Sequence, residues 1–413
     1  MGGLLQGLHW RASSNREGNA DLEDQLRLAT EENEMLKREN ESLRSLAQGG
    51  GELAVPRELI ERAEKEFGLR FLSNPVVHQI AIEELRDRIA AAMESRMGPS
   101  GIEDRQEAWR WIGWLGENED LLGMLTAVRS TGARTWFDDV TGEAWVTDRF
   151  DVDSIPDQAA LLKAIVRILL HQNFPPPPSY PGDDAARARE ALHQGAAVGS
   201  EARFFSANAR AIGFIPLKEN TEAQQLFSSL PDFIKGLTTF PAMEGKGLAD
   251  TLHIQGNEKF HEALRSPPQS THGILEPQES LSNAPPLELP AMPEEPYLSE
   301  SAGQLGLRLW LDALPDAGKI SSAWMSDRYA LIPDGEASSA VIWDIELQTK
   351  EAADLLETAA KVKIAGNTES SIKGEVPKDD SSARKRILKT TRPSANRVRF
   401  LNTATQELAD QLD

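Results

Sequence analysis

The chain has 413 residues, of which 44 are Lys or Arg and 65 are Asp or Glu, so its net charge is −21. A chain this acidic is a poor general binder of nucleic acids and anionic lipids, which argues against nucleic acid as a partner. Cysteine is absent, and this excludes disulfides, thiolate metal sites and cysteine nucleophiles.

The first regular pattern in the chain is a heptad repeat. The d positions are apolar and two of the four a positions are asparagine: Leu22, Ala29, Leu36 and Leu43 at d, and Leu26, Asn33, Asn40 and Ala47 at a. Asparagine at a positions lowers stability but favours a parallel, in-register dimer, whereas the alternative is a single solvated helix. We therefore predict a flexible N-terminal segment over 1–21, a parallel coiled coil over 22–48 and a Gly-rich joint over 49–54.

The next 60 residues alternate between helical and strand patterns. Pro56 precedes an amphipathic helix that ends at Gly68, a strand is predicted over Leu69–Ile82, and a second amphipathic helix over Ile82–Met97. Three tryptophans follow within a further helical run, at a spacing that favours core packing over a binding surface: Trp109, Trp111 and Trp114.

A hairpin and two helices come next. Two aromatic strands around a polar turn predict a β-hairpin over 136–146, with Gly142 closing the turn. A strongly apolar helix is predicted over Ile155–Leu170, ahead of the proline run 175–178, and an alanine-rich helix over Asp183–Asn208.

The second half of the chain opens with a stretch that lacks Lys and Arg. It contains eight prolines and six glutamates between Arg265 and Arg308, which predicts an irregular segment over 266–300. The patterns beyond it predict, in order, helix Leu305–Leu314, strand Arg328–Ile332, strand Ala340–Ile345 and helix Lys350–Lys361. After Lys363 the sequence turns polar, so we predict a mostly disordered tail over 364–413.

This tail contains a basic cluster. Seven cations fall within 16 residues that contain no acid: Arg384, Lys385, Arg386, Lys389, Arg392, Arg397 and Arg399. Such a patch suits RNA, an anionic lipid surface or an acidic partner. The alternative is a tail that folds back onto the protein's own acidic body.

Five motifs follow one another within residues 55–360: WFDDVTGEAWV (136–146), PPQSTHGILEP (267–277), QLGLRLWL (304–311), SDRYALIPDG (326–335) and VIWD (341–344). Each motif is weak alone, but their order resembles that of the bacterial neutral zinc metallopeptidase-like proteins of the zincin (HExxH) class. The resemblance implies an α+β, zincin-like body over 55–363, preceded by the coiled-coil helix.

The chemical positions of that family are replaced in this chain. A zincin binds Zn²⁺ through two His one helical turn apart, and a Glu between them activates the metal-bound water. Aligned on the residues that follow this motif, Lys163 and Arg167 stand at the His positions and Ala164 at the general base. Gln194 stands where the third ligand, a Glu, would be. The resemblance therefore implies the fold but neither zinc, nor another cofactor, nor peptidase activity.

Lys163 and Arg167 form a candidate anion-binding pair. They lie at i and i+4 on one helix face, so their charged groups can reach the same space. Arginine and lysine donate to carboxylates, which suits a peptide C-terminus or an acidic side chain. The alternative is that both cations pair with acidic residues of the body and have a structural role only.

The histidines offer little support for a rescued metal site. No HxxxH or HxH pair occurs among the seven, and His261 starts an HExx stretch that has Arg265 in its fifth place. His171 and His193 flank the replaced positions and can approach each other, but a metal there needs a third ligand that the sequence does not identify. Phosphate-loop, dinucleotide and esterase motifs do not occur.

We interpret the chain as a non-catalytic pseudopeptidase that acts as a dimeric binding or scaffold protein. Its predicted partners are a second copy, through residues 22–46, and a peptide or protein in the degenerate cleft. The alternatives are a metal-dependent hydrolase with a non-standard site and a membrane-tethered structural oligomer.

The length of the apolar runs bears on whether the chain is embedded in a membrane. No apolar run reaches the ~18 residues of a membrane-spanning helix, so we expect a soluble chain. A link to a membrane would then require an anchor preceding this chain, and that case would favour the bacterial cell envelope.

The heptad repeat makes a prediction about assembly. Residues 22–46 should dimerise the protein, with Leu36 and Leu43 in the seam and Asn33 paired with its copy. Light scattering should therefore give a dimer for the full chain and a monomer for a chain that starts at Glu52. Two monomers would contradict the coiled coil, and two dimers would place the interface in the body.

Overall fold

The computed structural model describes residues 51–97, 99–212, 221–278, 287–335, 338–373 and 386–413. Within these ranges the chain is a mixed α+β protein with two β-sheets, which confirms the predicted class. The segment 1–21, the coiled coil 22–48 and the start of the Gly-rich joint lie outside the described residues. No helix within the described ranges combines the length and apolarity that crossing a bilayer requires.

The helices are numbered here in chain order. The first nine are α1 (Arg57–Phe67), α2 (Ile82–Met97), α3 (Pro99–Ile112), α4 (Leu121–Ser130), α5 (Ile155–Asn173), α6 (Asp183–Ile212), α7 (Thr221–Ser229), α8 (Asp232–Phe240) and, after a π-helical turn over Pro241–Gly245, α9 (Lys246–Ile254). The others are α10 (Asn257–Arg265), α11 (His272–Leu275), α12 (Gly303–Trp310), α13 (Ala317–Ser322), α14 (Lys350–Lys373) and α15 (Gln406–Gln411).

The smaller sheet contains the predicted hairpin. Its strands are β1 (Val77–Ile80), β2 (Thr135–Phe137) and β3 (Ala144–Thr147), in the order β1-β3-β2. Strands β2 and β3 pair antiparallel, whereas β1 is parallel to β3. The turn needs Gly142, whose φ of 75° is strained for other residues. Strand β1 is much shorter than the predicted strand over Leu69–Ile82.

The larger sheet is antiparallel throughout. Its strands are β4 (Leu298–Glu300), β5 (Trp324–Pro333), β6 (Ser339–Leu347), β7 (Ile387–Ser394) and β8 (Arg397–Thr403), in the order β4-β5-β6-β8-β7. Strands β5 and β6 confirm the two strands predicted in this region, and β8 pairs with β6 over most of its length.

The prediction of a mostly disordered tail is wrong for residues 386–413. Strands β7 and β8 complete the larger sheet, and the boundary placed at residue 363 therefore cuts through one sheet. On β8, Val398 and Phe400 pack into the core that includes Trp310, while Leu401 packs on the opposite face with Leu408. Apolar burial on both faces stabilises this strand, although the polar residues of the tail had predicted disorder.

The basic cluster contacts acidic residues of the chain itself. Arg384 and Lys385 lie outside the described residues. The other members pair within the protein: Arg397 and Arg399 with the fully buried Asp344, Arg392 with Asp354 and Glu357, Lys389 with Asp413, and Arg386 with Asn402 and the face of Trp111. Cross-strand register places Arg399 opposite Asp344, so their charges compensate each other inside the sheet.

The tryptophan-rich core joins the helices to the larger sheet. Trp109 and Trp114 are buried there with Trp343, which confirms core packing for these two residues. Trp111 is half-buried, and its indole N–H donates to Ser339 Oγ at 2.9 Å. A second core surrounds the apolar helix α5.

The N-terminus of α6 is a junction of buried polar groups. Asp183 binds Arg105 of α3 at 2.9 Å, and the same guanidinium reaches Glu300 of β4 at 2.8 Å. The next residue, Asp184, accepts hydrogen bonds from the Thr271 backbone at 3.0 Å and hydroxyl at 2.7 Å. These bonds tie α6 to α3, β4 and the segment before α11.

Asp184 makes the stability of this junction depend on pH. Its side chain is buried, and burial raises its pKa to about 7 from 3.8, against the lowering effect of its bonds with Thr271. The folded protein therefore holds a proton that the unfolded chain releases. The free energy of unfolding then decreases as pH rises from ~4 to ~7, by up to ~1.4 kcal/mol per pH unit from this group.

The variant Asp184→Asn should remove this contribution, because its neutral amide oxygen can still accept from Thr271. The stability of the variant relative to wild type should therefore increase as pH rises from ~4 to ~7. Urea denaturation across this range measures the difference, with Asp87→Asn on the exposed face of α2 as control. Parallel curves for wild type and Asp184→Asn would contradict the prediction.

Candidate functional site

A cleft of about 620 Å³ lies between α2, α3, α4, α5, α6 and β2. All four replaced positions line it: Lys163, Ala164 and Arg167 on α5, and Gln194 on α6. The structure thus brings together residues that the sequence places in two separate helices. A cleft of this size is in the range of small-molecule and peptide sites.

Helix α6 supplies one wall of the cleft through a single face. Asp183, Arg187, Glu190 and Gln194 follow each other at intervals of four, three and four residues, and all four line the cleft. This spacing keeps side chains on the same side of an α-helix. These four polar residues of α6 therefore lie on the face of the helix that is turned to the cleft.

Arg167 forms a two-pronged ion pair with Glu190. Its Nη1 and Nη2 donate to the two carboxylate oxygens at 2.9 and 2.8 Å. The arginine side chain is only 10% exposed, against 26% for Glu190, and its guanidinium also lies 4.7 Å from the centre of the Phe137 ring. This is the fork geometry in which arginine binds carboxylates most strongly.

The arginines around Glu190 determine its ionisation. Burial alone would raise its pKa, but Arg167, followed by Arg96 and Arg129, outweighs burial and lowers it to about 2. The folded protein therefore keeps the carboxylate ionised down to a pH of about 2. Its stabilising effect is fully present above pH ~4.5 and is lost as pH falls towards 2. One acid thus faces three arginines at this point of the cleft.

Lys163 is paired as well, but more loosely. Its ammonium donates to both oxygens of Glu201 at 3.0 Å. Its side chain is 35% exposed, so water screens this pair more than the pair of Arg167. Both members of the candidate anion-binding pair thus already have a carboxylate partner from α6.

His171 and His193 do not form a metal centre with other described residues. His171 contacts the hairpin turn through Nε2 and the Asp139 carbonyl, 3.2 Å apart, and its pKa is lowered, first by burial. His193 is buried, burial holds its pKa well below the usual range, and its Nε2 has no partner among the described residues. Within the described ranges, no group of three or more His, Asp or Glu is arranged to hold a metal ion.

A pair of glycines sets how closely α6 approaches its neighbour. A Cβ on Gly195 would lie 2.1 Å from the carbonyl carbon of Gly245, and a Cβ on Gly245 would lie 2.2 Å from the Ala191 oxygen. The helix and the π-helical turn therefore cross with their backbones in contact. Sequence reasoning missed this crossing. Gly195, next to Gln194, is the signal that could have indicated it, because a glycine inside a helix often marks a close backbone contact.

The cleft carries an excess of positive charge. Seven cationic and three acidic side chains line it, and three more acids, Asp157, Glu201 and Glu300, pair with lining cations from outside it. The cations thus exceed these acids by one in a chain whose net charge is −21. Arg96 pairs with Asp139 at 2.5 Å, and Arg134 lies 3.4 Å from Asp157. Sequence reasoning missed most of these cations, because they come from α2, α3, α4 and the loop before β2.

Comparison with family models, with curated proteins and with solved structures finds no match to this chain. The resemblance to zinc metallopeptidases therefore stays a prediction from the five motifs and the four replaced positions. Several of these motifs meet in the structure, since Asp327 of SDRY accepts a 2.8 Å hydrogen bond from the indole of Trp343 in VIWD. Oε1 of Gln304 in QLGL likewise lies 2.7 Å from Nδ1 of His272 in PPQSTHG.

The two cation pairs should differ in their effect on stability. Arg167→Ala leaves the carboxylate of Glu190 without its two-pronged partner in a largely buried position, and should lower the free energy of unfolding by ~3 kcal/mol. Lys163→Ala removes a half-exposed pair and should cost less than ~1 kcal/mol. Urea denaturation of the two single variants measures both values, and equal losses would show that the difference in burial does not matter.

Proposed function

We propose that this protein is a non-catalytic, peptidase-like binding protein that acts as a dimeric binder or scaffold. The observation that carries the proposal is the content of the cleft, where Lys163, Ala164, Arg167 and Gln194 lie together. These are the positions that bind zinc and activate water in the family that the sequence resembles. The proposal includes the finer fold, a zincin-like body that follows a parallel coiled coil.

The side chains of the cleft do not suit a zinc ion. Zinc in a peptidase needs neutral imidazoles and a carboxylate, with one position left for water. Here a lysine and an arginine bring two positive charges, and both carboxylates that face them are engaged in ion pairs. A divalent cation would have to displace these cations and would be repelled by them.

The cleft also lacks a group at the position of the general base. The methyl side chain of Ala164 has no polar atom with which to activate water. The remaining chemistry is that of recognition, because the lining combines aromatic and apolar side chains with fixed charges. A cleft of this composition suits holding a ligand better than cutting it.

The proposal predicts that the purified protein contains no stoichiometric zinc and does not cleave casein. Elemental analysis measures the metal content, and release of acid-soluble peptides measures cleavage. About one zinc per chain, lost in His171→Ala or His193→Ala, would overturn the proposal in favour of a metal-dependent hydrolase.

A matched variant makes this test sharper. This variant combines four substitutions that restore the residues of the zinc peptidase motif at the aligned positions: Lys163→His, Ala164→Glu, Arg167→His and Gln194→Glu. With two His, the bridging Glu and the third-ligand Glu in place, this variant should gain zinc affinity that the wild type lacks. A wild type and a variant that bind zinc equally would contradict the assignment of these positions.

A further inference from the structure

Two arginines of the cleft have no carboxylate oxygen within ion-pair distance among the described residues, although Arg129 acts on Glu190, and Arg187 on Asp183 and Asp184, over longer distances. Arg129, on α4, is exposed and makes only a 3.4 Å bond to the Leu125 carbonyl and a 3.7 Å contact with Met93 Sδ. Arg187, on α6, is half-buried and has neither a hydrogen bond nor an ion pair within the described ranges. Both line the cleft, and apart from these two weak contacts of one Arg129 nitrogen their guanidinium donors are available to a ligand.

The other five cations of the cleft are occupied by acidic partners. Arg105, Arg167 and Lys163 pair with acidic side chains at 2.8–3.0 Å. Arg96 pairs with Asp139, and Arg134 with Asp157. Using any of them for a ligand would leave a buried or half-buried carboxylate unpaired, at a cost in stability. The surplus of positive charge in the cleft is therefore concentrated in Arg129 and Arg187.

Apolar surface lies beside these arginines. Trp136 and Phe137 of β2 and Met93 and Leu125 of the surrounding helices line the same cleft. A bare inorganic anion would leave this surface exposed to water, whereas a ligand that joins an anionic group to an apolar one would cover it. The volume of about 620 Å³ accommodates a few amino-acid residues rather than a folded domain.

The charge of the whole chain limits the size of an anionic ligand. With a net charge of −21, the protein repels long polyanions, since their charges extend beyond the cleft to the acidic surface. A short ligand whose anionic group enters the cleft experiences the local surplus of arginines instead. This argues for a small carboxylate-bearing ligand over a nucleic acid.

We propose that Arg129 and Arg187 bind the carboxylates of a short peptide that carries apolar and acidic residues at its C-terminus. Arginine suits this role because its planar fork matches the two oxygens of a carboxylate. This inference depends on the proposed function, and it moves anion recognition from Lys163 and Arg167, which are paired, to two arginines from other positions.

Calorimetric titration of the full chain tests the inference with a defined probe. The probe is acetyl-Ala-Phe-Glu with a free C-terminus, and the neutral comparison is acetyl-Ala-Phe-Gln amide. The acidic peptide should bind more tightly than the neutral one, and its affinity should fall as salt rises. Equal affinity for the two peptides, or no binding of the acidic peptide, would overturn the inference.

Paired variants identify the arginines. Arg129→Gln with Arg187→Gln should weaken binding of the acidic peptide at least about tenfold. Arg57→Gln with Arg86→Gln removes the same charge from exposed positions outside the cleft and should change affinity less than about twofold. Equal losses in the two double variants would overturn the inference, because they would reflect net charge alone.

Two further measurements separate recognition of the peptide carboxylates from a folding defect and from binding of any small anion. Arg129→Lys with Arg187→Lys keeps the charge and should retain part of the affinity even if the glutamine variant fails to fold. Inorganic phosphate should bind less tightly than the acidic peptide, because it leaves the apolar surface uncovered. Phosphate binding without peptide binding would overturn the inference.

The same samples separate this inference from the proposed function. Mass spectrometry of the peptide after titration, together with zinc analysis of the protein, reports on catalysis independently of binding. A peptide that binds through the two arginines but is cleaved would overturn the proposed function and leave the recognition site standing. An intact peptide that does not bind, with no zinc present, would overturn only the recognition site.

Discussion

The first turn of α6 constrains much of this structure, because it places two adjacent carboxylates, Asp183 and Asp184, in the interior. A buried carboxylate is costly unless hydrogen bonds and charges compensate it. The groups that compensate these two carboxylates are distant in sequence: Arg105 pairs with Asp183, and Thr271 donates to Asp184. Glu300 of β4 pairs with the same Arg105 and so links this junction to the larger sheet. The helix that forms one wall of the cleft is therefore fixed at its start by bonds to three other segments.

Charge compensation follows the same logic inside the cleft. Arg167 and Lys163 on α5 each face a carboxylate of α6, so the two helices are held together by ion pairs across their contact. The cations that face α6 from α5 are thus neutralised within the chain, and Arg129 and Arg187 remain without an ion pair among the described residues.

Local patterns predicted the elements whose partners are near in sequence. Periodicity, capping and turn residues predicted the hairpin, helix α2 and most of the length of helices α5 and α6. The tail shows where local patterns fail. Residues 387–403 are polar and rich in cations, which predicted disorder, but they form strands β7 and β8. Strand β8 exists because Asp344, 55 residues earlier, pairs with Arg399, and because Phe400 enters a core that other segments build.

Residue identity and helical spacing were enough to predict the mixed α+β class and the position of Lys163 and Arg167 on one helix face. Neither needs a long-range contact. Which carboxylates neutralise those two cations, and which arginines stay unpaired, depends instead on how distant segments pack. Arg129 and Arg187 lie on different helices, α4 and α6, that are far apart in sequence, so no local pattern reveals that both line one cleft.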